Sequence, residues 1–233
     1  MNGQIPINWN ASPLIETKKI TIKRGLSLIS KYHYLGGIGR SFMVYGTFVN
    51  CELIAVVCFS TPCSEILRSS ILGSDNKKHV IELSRLCLKP KCKIPATKII
   101  SLSIQELKCE RKKREMIPIH AIISFADSRQ DHHGGIYQAG SWLYTGQSIR
   151  SSNYYFVDQK GSIRHPRQNG INISKKKALS NGWKVVHPKK QNIKFRYVKI
   201  IGSKKQKKKF KRLLKLDILP YPKPEFETCS NPI

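Results

Sequence analysis

Acidic side chains are scarce in this chain: 14 Asp and Glu stand against 42 Lys and Arg in 233 residues, a formal net charge of +28. A chain this cationic repels itself, and the usual reason for such an excess is a polyanionic partner. There is no apolar run of about eighteen residues, so a membrane span is excluded. The first twenty residues carry two Pro, a Glu and a late Lys pair but no apolar stretch, which speaks against a secretory leader. The seven cysteines form no Cys-x-x-Cys pair and no zinc-finger spacing. Cys58, for example, sits in the apolar run Ile54–Phe59, and the set reads as reduced thiols of a cytoplasmic protein. With 40% hydrophobic and 9% aromatic residues the chain can bury a core, which excludes wholesale disorder.

The charge is uneven. Residues 1–149 hold 20 basic and 10 acidic side chains, and residues 150–233 hold 22 and 4. Lys204–Lys211 reads KKQKKKFK and is followed by Arg212, with Phe210, Leu213, Leu214 and Leu216 at helical spacing. A solvated face or a localisation tail would also explain a charge run. The interleaved apolar positions favour a basic amphipathic helix docked on a core, with nucleic acid as its partner. A membrane partner is disfavoured, because the apolar face is short and lacks Trp.

Periodicity predicts a strand at Ile20–Ile22, a helix through Leu26, Leu28 and Ile29 ending near Tyr34, and a hairpin of Phe42–Val49 and Leu53–Phe59 turning at Asn50-Cys51. Pro62 to Lys78 reads as an irregular, partly helical insert. A strand at His79–Leu88, a helix at Ala96–Arg111 and a strand at Ile119–Phe125 follow. Short elements come next: helical turns at Gly134–Gly140, strands at Trp142–Thr145 and Tyr154–Val157, and a helix at Lys175–Asn181. The strand Lys194–Ile201, the helix Lys204–Leu216 and a proline-rich tail close the chain. The expected class is α/β, a mixed, mostly antiparallel sheet flanked by helices with a basic C-terminal extension. The strand, basic turn, long helix and strand of residues 79–125 correspond to the donor-holding part of the GNAT acyltransferase fold. The organisation expected is a catalytic core over 1–150, a basic segment over 151–224 that completes the fold and binds nucleic acid, and a tail over 225–233.

Chemistry concentrates in Ser124–Gly146, SFADSRQDHHGGIYQAGSWLYTG. Carboxylate and imidazoles at a strand end can do general acid/base work or bind a metal. Singly, each residue is as well explained by an Asp cap or a surface His. Their density, with Ser128, Tyr137, Gln138 and Trp142, favours a site. Tyr32-His33-Tyr34-Leu35-Gly36-Gly37 is a second cluster, open to reading as a site or as packed aromatics. In the strand around Glu82-Leu83-Ser84-Arg85-Leu86, Arg85 shares a face with Leu83 and needs an anionic partner: Asp127 or a ligand.

HYLGG, ELSRLCL, SFADSRQDHHGGIYQAGSWLYTG and the late RYV, LLK and PYPK stretches resemble the Mom family of phage DNA-modification proteins over roughly residues 25–224. Asp127, His132, Gly134, Ile136, Tyr137, Gln138, Ala139 and Trp142 match the family's central motif, while Asp131 stands where the family often has Gly. The resemblance implies a GNAT-like fold and conversion of adenine in duplex DNA to N6-carbamoylmethyl-adenine, which shields phage DNA from host nucleases. It puts the catalytic residues at His33, Tyr34, Arg85 and Asp127. It also implies iron, for which His33, Asp127 and His132 offer suitable ligand types. The location is then the host cytoplasm.

The donor is left open between acetyl-CoA and glycyl-tRNA. A Gly-rich pyrophosphate loop is missing: the turn reads Lys89-Pro90-Lys91-Cys92-Lys93-Ile94-Pro95, and its prolines remove backbone donors. Lys89, Lys91 and Lys93, with Thr97 and Ser101 on the next helix, are the donor-binding candidates. Ser128, His132, Tyr137, Gln138 and Trp142 are expected at the extruded base, and Arg164, Arg167 and Lys175 on phosphates of double-stranded DNA. A tRNA partner follows if the donor is glycyl-tRNA. A non-catalytic nucleic-acid-binding protein and a GNAT acetyltransferase with another substrate are the alternatives.

Overall fold

The computed structural model describes residues 14–130, 132–149, 154–164, 167–168, 171–187 and 193–223. The chain forms two compact units. One contains the described residues of Met1–Phe59 with Arg85–Met116, and the other those of Ser60–Ser84 with Ile117–Ile233. The expected α/β class, with a mixed, mostly antiparallel sheet flanked by helices, is what the structure has.

The first unit holds β1 (Ile15–Lys19), α1 (Ile22–Tyr32), β2 (Met43–Val49), β3 (Glu52–Ser60, but for its last residue) and α3 (Ala96–Lys113). β1, β2 and β3 pair antiparallel in that order. Asn50 and Cys51 take φ of 47° and 67°, so both central residues of the hairpin turn have the positive φ of a type I′ turn. Thr21 caps α1, its side chain accepting from the Arg24 N–H at 3.2 Å. α1 lays Leu28 and Ile29 on Val44, Val56, Cys58 and Cys87. It can do so closely because residue 25 is glycine: a Cβ there would stand 2.6 Å from the Val44 Cγ1. Glu110 of α3 ties this unit together, accepting from Tyr45 Oη at 2.7 Å and Lys19 Nζ at 2.6 Å.

The second unit holds α2 (Glu65–Leu72), a 3-10 turn (Ser74–His79), β5 (Ala121–Asp127), a second 3-10 turn (Ser128–Gln130), α4 (Gly135–Ala139) and β6 (Leu143–Ile149). The short elements β7 (Tyr155–Val157), β8 (Ile163–Arg164), β9 (Arg167–Gln168), β10 (Ile171–Asn172), α5 (Lys175–Ser180) and β11 (Lys184–Val186) follow, then β12 (Ile193–Ile200) and α6 (Lys204–Arg212). β4 (Val80–Leu88) gives its first five residues to this unit and its remainder to the other. β4 and β5 are parallel, and α3 supplies the crossover that parallel neighbours require. β12 lies antiparallel between β5 and β6. On one face Ile71, Leu72, Val80, Ala121, Ile123, Val198 and Phe210 form the core.

The first strand lies at Ile15–Lys19 rather than the expected Ile20–Ile22. It exposes four of its five residues, so its sequence carries little apolar alternation. The insert contains α2, capped by Ser64. The last helix stops at Arg212, four residues before the expected end. Among the described residues no helix is long and apolar enough to cross a membrane. The tail over 225–233 and Asp131 lie outside the described residues.

Burial pushes the thiol of Cys58 up to about 12 and that of Cys87 up to about 11. Cys51, Cys63 and Cys109 are exposed. At about pH 8 both buried thiols are therefore held almost wholly in the unreactive thiol form. Iodoacetamide should therefore alkylate Cys51, Cys63 and Cys109 in the native protein and reach Cys58 and Cys87 only after denaturation, as read by peptide mass spectrometry. Equal labelling rates for Cys58 and Cys51 would contradict the packing of the first unit.

Candidate active site

In the first unit the site candidates gather on the loop that leaves α1. His33 ends the helix, its N–H donating to the Ile29 carbonyl at 2.9 Å. The Leu35 N–H donates to His33 Nδ1 at 3.1 Å, which places the proton of the neutral ring on Nε2. The ring stacks on Tyr34 at 4.6 Å, and Tyr34 is 49% exposed. Arg85 reaches the same loop from β4: its Nε donates to the Gly37 carbonyl at 2.9 Å. A Cβ at Gly39 would lie 3.1 Å from Arg85 Nη2, so the loop backbone closes on the guanidinium. Three of the four expected catalytic residues thus meet one seven-residue stretch, 33–39.

The donor-side turn is also in this unit. Lys89 pairs with Glu52, and that hydrogen bond raises its pKa. The Cys92 N–H donates to the Lys89 carbonyl at 3.1 Å, and Lys91 takes φ of 60°. Lys91, Lys93 and Ser101 are exposed, and Thr97 is half-buried. No side chain caps α3 at Pro95, and its first turn has no acidic residue. The turn therefore offers lysine ammonium groups beside the positive end of an 18-residue helix.

In the second unit Asp127 ends β5 opposite Lys194 of β12, with Lys194 Nζ at 3.2 Å from Asp127 Oδ2. The His132 N–H donates to the Asp127 carbonyl at 3.3 Å; His132 is exposed and Ser128 half-buried. Beside them lies a buried polar chain. Ser124 Oγ donates to the Leu83 carbonyl at 2.8 Å. Its only proton is then used, so Tyr137 Oη, 2.7 Å away, is the donor to Ser124. Tyr197 Oη donates to the His133 carbonyl, and Gln138 Nε2 lies 3.1 Å from Tyr197 Oη and 3.4 Å from the Pro222 carbonyl. Burial raises the Tyr197 pKa.

Tyr137 and Trp142 were expected to stack an extruded base. Both are buried, 9% and 2% exposed, and Tyr137 packs against Trp142 and Tyr197. They and Gln138 hold α4, β12 and the segment at Tyr221–Pro222 together, Tyr221 Oη donating to the Trp142 carbonyl at 2.8 Å. The density of aromatic and polar residues marks a satisfied interior here. Tyr34, in the first unit, is exposed where these two are buried.

Arg164 is held by Asp158 at 2.9 Å, and Lys175 Nζ lies 4.5 Å from the centre of the Tyr154 ring. The side chain of Arg167 lies outside what the structure describes. The iron expectation finds no support: among the described residues no three His, Cys, Asp or Glu side chains are grouped to hold a metal ion. Sequence reasoning missed Tyr197, Lys194 and Arg196. Arg196 forks onto Thr145, donating to its carbonyl at 2.7 Å and its Oγ1 at 3.1 Å, and burial lowers its pKa. The signal was available: Arg196 alternates with Val198 in a strand, the pattern that singled out Arg85.

The fold and this arrangement define an α/β protein with polar groups at strand and helix ends in each unit. Residues 14–223 match the Mom protein family, and the chain belongs to it. No curated protein matches the chain. Among solved structures it is similar to a Bacillus subtilis acetyltransferase in complex with CoA, at 12% identity and a TM-score of 0.44 over 82% of this chain and 100% of that one. A GNAT-family acetyltransferase from Streptococcus pneumoniae has 9% identity and a TM-score of 0.45, covering 81% and 100%. A probable acetyltransferase from Staphylococcus epidermidis has 8% identity and a TM-score of 0.45, covering 81% and 100%. The fold class stands on the strand pairing itself.

Gly134 tests the interior of the second unit. It has φ of +92°, and a Cβ there would lie 2.3 to 2.5 Å from the Tyr197 ring. Gly161 has φ of +78° with nothing within 4 Å of its Cβ position. Gly134→Ala should cost about 2–4 kcal/mol of unfolding free energy from strain plus overlap, and Gly161→Ala about 1 kcal/mol from strain alone. Denaturant unfolding of the two variants reads the difference. Equal costs would mean that Tyr197 does not press on Gly134.

Proposed function

We propose that this chain is a transferase that modifies the exocyclic N6 of adenine in duplex DNA, building the N6-carbamoylmethyl group associated with its family. The observation that carries the reading is the match over residues 14–223, joined to the meeting of His33, Tyr34 and Arg85 on one loop.

N6 is conjugated with the purine ring and paired inside the duplex, so the base must be extruded, at a cost of a few kcal/mol. Tyr34 would receive it by stacking. With Nδ1 accepting from the Leu35 N–H, the neutral His33 ring carries its proton on Nε2 and lies stacked on Tyr34 beside the proposed place of the base. Within the second unit the group of the right kind to accept a proton is the Asp127 carboxylate, which Lys194 holds in place. N6 attacks the carbonyl carbon of an activated acyl donor and forms an N6-acyl amide; the carbamoylmethyl group, in which N6 is bonded to CH2, requires a separate rearrangement after this step. Arg85 stabilises the oxyanion, and the leaving group departs with the donor's bonding pair.

The turn at Lys91 and Lys93 and the open start of α3 suit phosphate, which acyl-CoA and glycyl-tRNA share. Composition separates the two donors. An acetyl group lacks the product's nitrogen, whereas a glycyl group has the atoms of a carbamoylmethyl group in the reverse linkage and needs a later isomerisation. No step runs through a metal.

Nucleosides from DNA of cells expressing the chain should contain a modified deoxyadenosine by mass spectrometry. Asp127→Ala should remove it, at least about a hundredfold in rate, while duplex binding persists. Purified protein given DNA with acetyl-CoA or with glycyl-tRNA identifies the donor. Unmodified DNA despite tight binding would return the chain to the class of non-catalytic binders.

A further inference from the structure

α6 is built against its own stability. Seven of its nine residues are Lys or Arg, its first turn has no acidic residue, and all seven cations are exposed. Among the described residues no carboxylate lies within ion-pair distance of any of them. Like charges three and four residues apart repel one another, and lysines in a first turn oppose the helix dipole. Two devices hold the helix despite this. Ser203 and Gln206 form a reciprocal capping box. Phe210 is buried and stacks on His120, ring centres 4.1 Å apart, with His79 at 5.6 Å from Phe210. With Phe210 inward, Lys205, Lys208 and Arg212 share the outward face. They span about 10 Å, about three phosphate-to-phosphate steps of axial rise along one DNA strand.

The anchor also fixes where this face lies. His120 directly precedes β5, and Asp127 ends it, so seven residues of extended strand separate them, about 20 Å.

We propose that the outward face of α6, formed by Lys205, Lys208 and Arg212, is a contact surface for the phosphate backbone of duplex DNA. It is anchored at the end of β5 opposite Asp127 and grips the duplex away from the reacting base. The surface itself stands on α6, while its remoteness from the base rests on the assignment of Asp127 to the reaction.

The test is a full-length variant carrying Lys205→Gln, Lys208→Gln and Arg212→Gln, its fold checked by circular dichroism and thermal unfolding. By fluorescence anisotropy, affinity for a duplex of about 30 base pairs should fall at least about tenfold, and the plot of log affinity against log salt should flatten by about two to three units. A folded variant with unchanged affinity and slope would overturn the proposal. So would unchanged duplex binding with lost binding to bulk tRNA or to phosphatidylserine vesicles, which would assign the face to those partners. The remoteness is read from modification of an adenine centred in hairpin-capped duplexes of about 8 and about 30 base pairs. Wild type should outperform the variant on the long duplex and match it on the short one, and an equal advantage on both would place α6 beside the base. If neither length is modified while the binding difference stands, the transferase reading fails and the α6 surface survives.

Discussion

β12 lies between β5 and β6, hydrogen-bonded to both, and the second unit depends on that pairing. The strand carries the contacts that order the unit's polar groups. Lys194 faces Asp127, Arg196 forks onto Thr145, Tyr197 closes on His133, and Lys199 donates to the Gly140 carbonyl. It then leads into α6. A strand displaced by one residue would turn every one of these side chains to the opposite face. The Tyr197 ring lies where a Cβ at residue 134 would stand, so this close approach requires the glycine.

The elements legible in the sequence are those whose information is local. α1, the β2–β3 hairpin, α3, β5, β12 and α6 each announce themselves by periodicity, caps or a turn dipeptide. β1 is an edge strand that exposes four of its five residues, and β8 to β11 run only two or three residues, too short for a periodicity to show. The site was legible in its composition and not in its depth. His33 and Tyr34 stand out in sequence as a cluster before a glycine-rich turn, whereas the reach of Arg85 to the Gly37 carbonyl of that loop is tertiary and was not readable from its strand. Tyr137, Gln138 and Trp142 look the same in sequence yet point inward, because Tyr197, about sixty residues later, completes their packing. A spacing argument within one segment cannot see a partner that arrives from another.

Scarce carboxylates impose a division of labour. Glu110 takes Lys19, Arg114 and Tyr45; Glu65 takes Arg68 and Lys77; Asp158 takes Arg164 and two backbone N–H groups. Burial alone would lift the Glu110 carboxyl, but hydrogen bonds from Lys19 and Tyr45 hold it below the ordinary range. With so much acid committed to structure, little is left to neutralise the helix at the end of the described chain. Its positive field is a consequence of composition as much as of local sequence.

The late position of β12 matters during synthesis. β5 is complete at residue 127, and its partner begins at 193. At about 5–20 residues per second the ribosome needs roughly 3 to 13 s to make the intervening stretch. Throughout that interval an apolar strand, Ala121–Asp127, waits with one edge unpaired, the arrangement that invites pairing with a neighbouring nascent chain. Elongation speed, more than final stability, then governs how much polypeptide escapes aggregation.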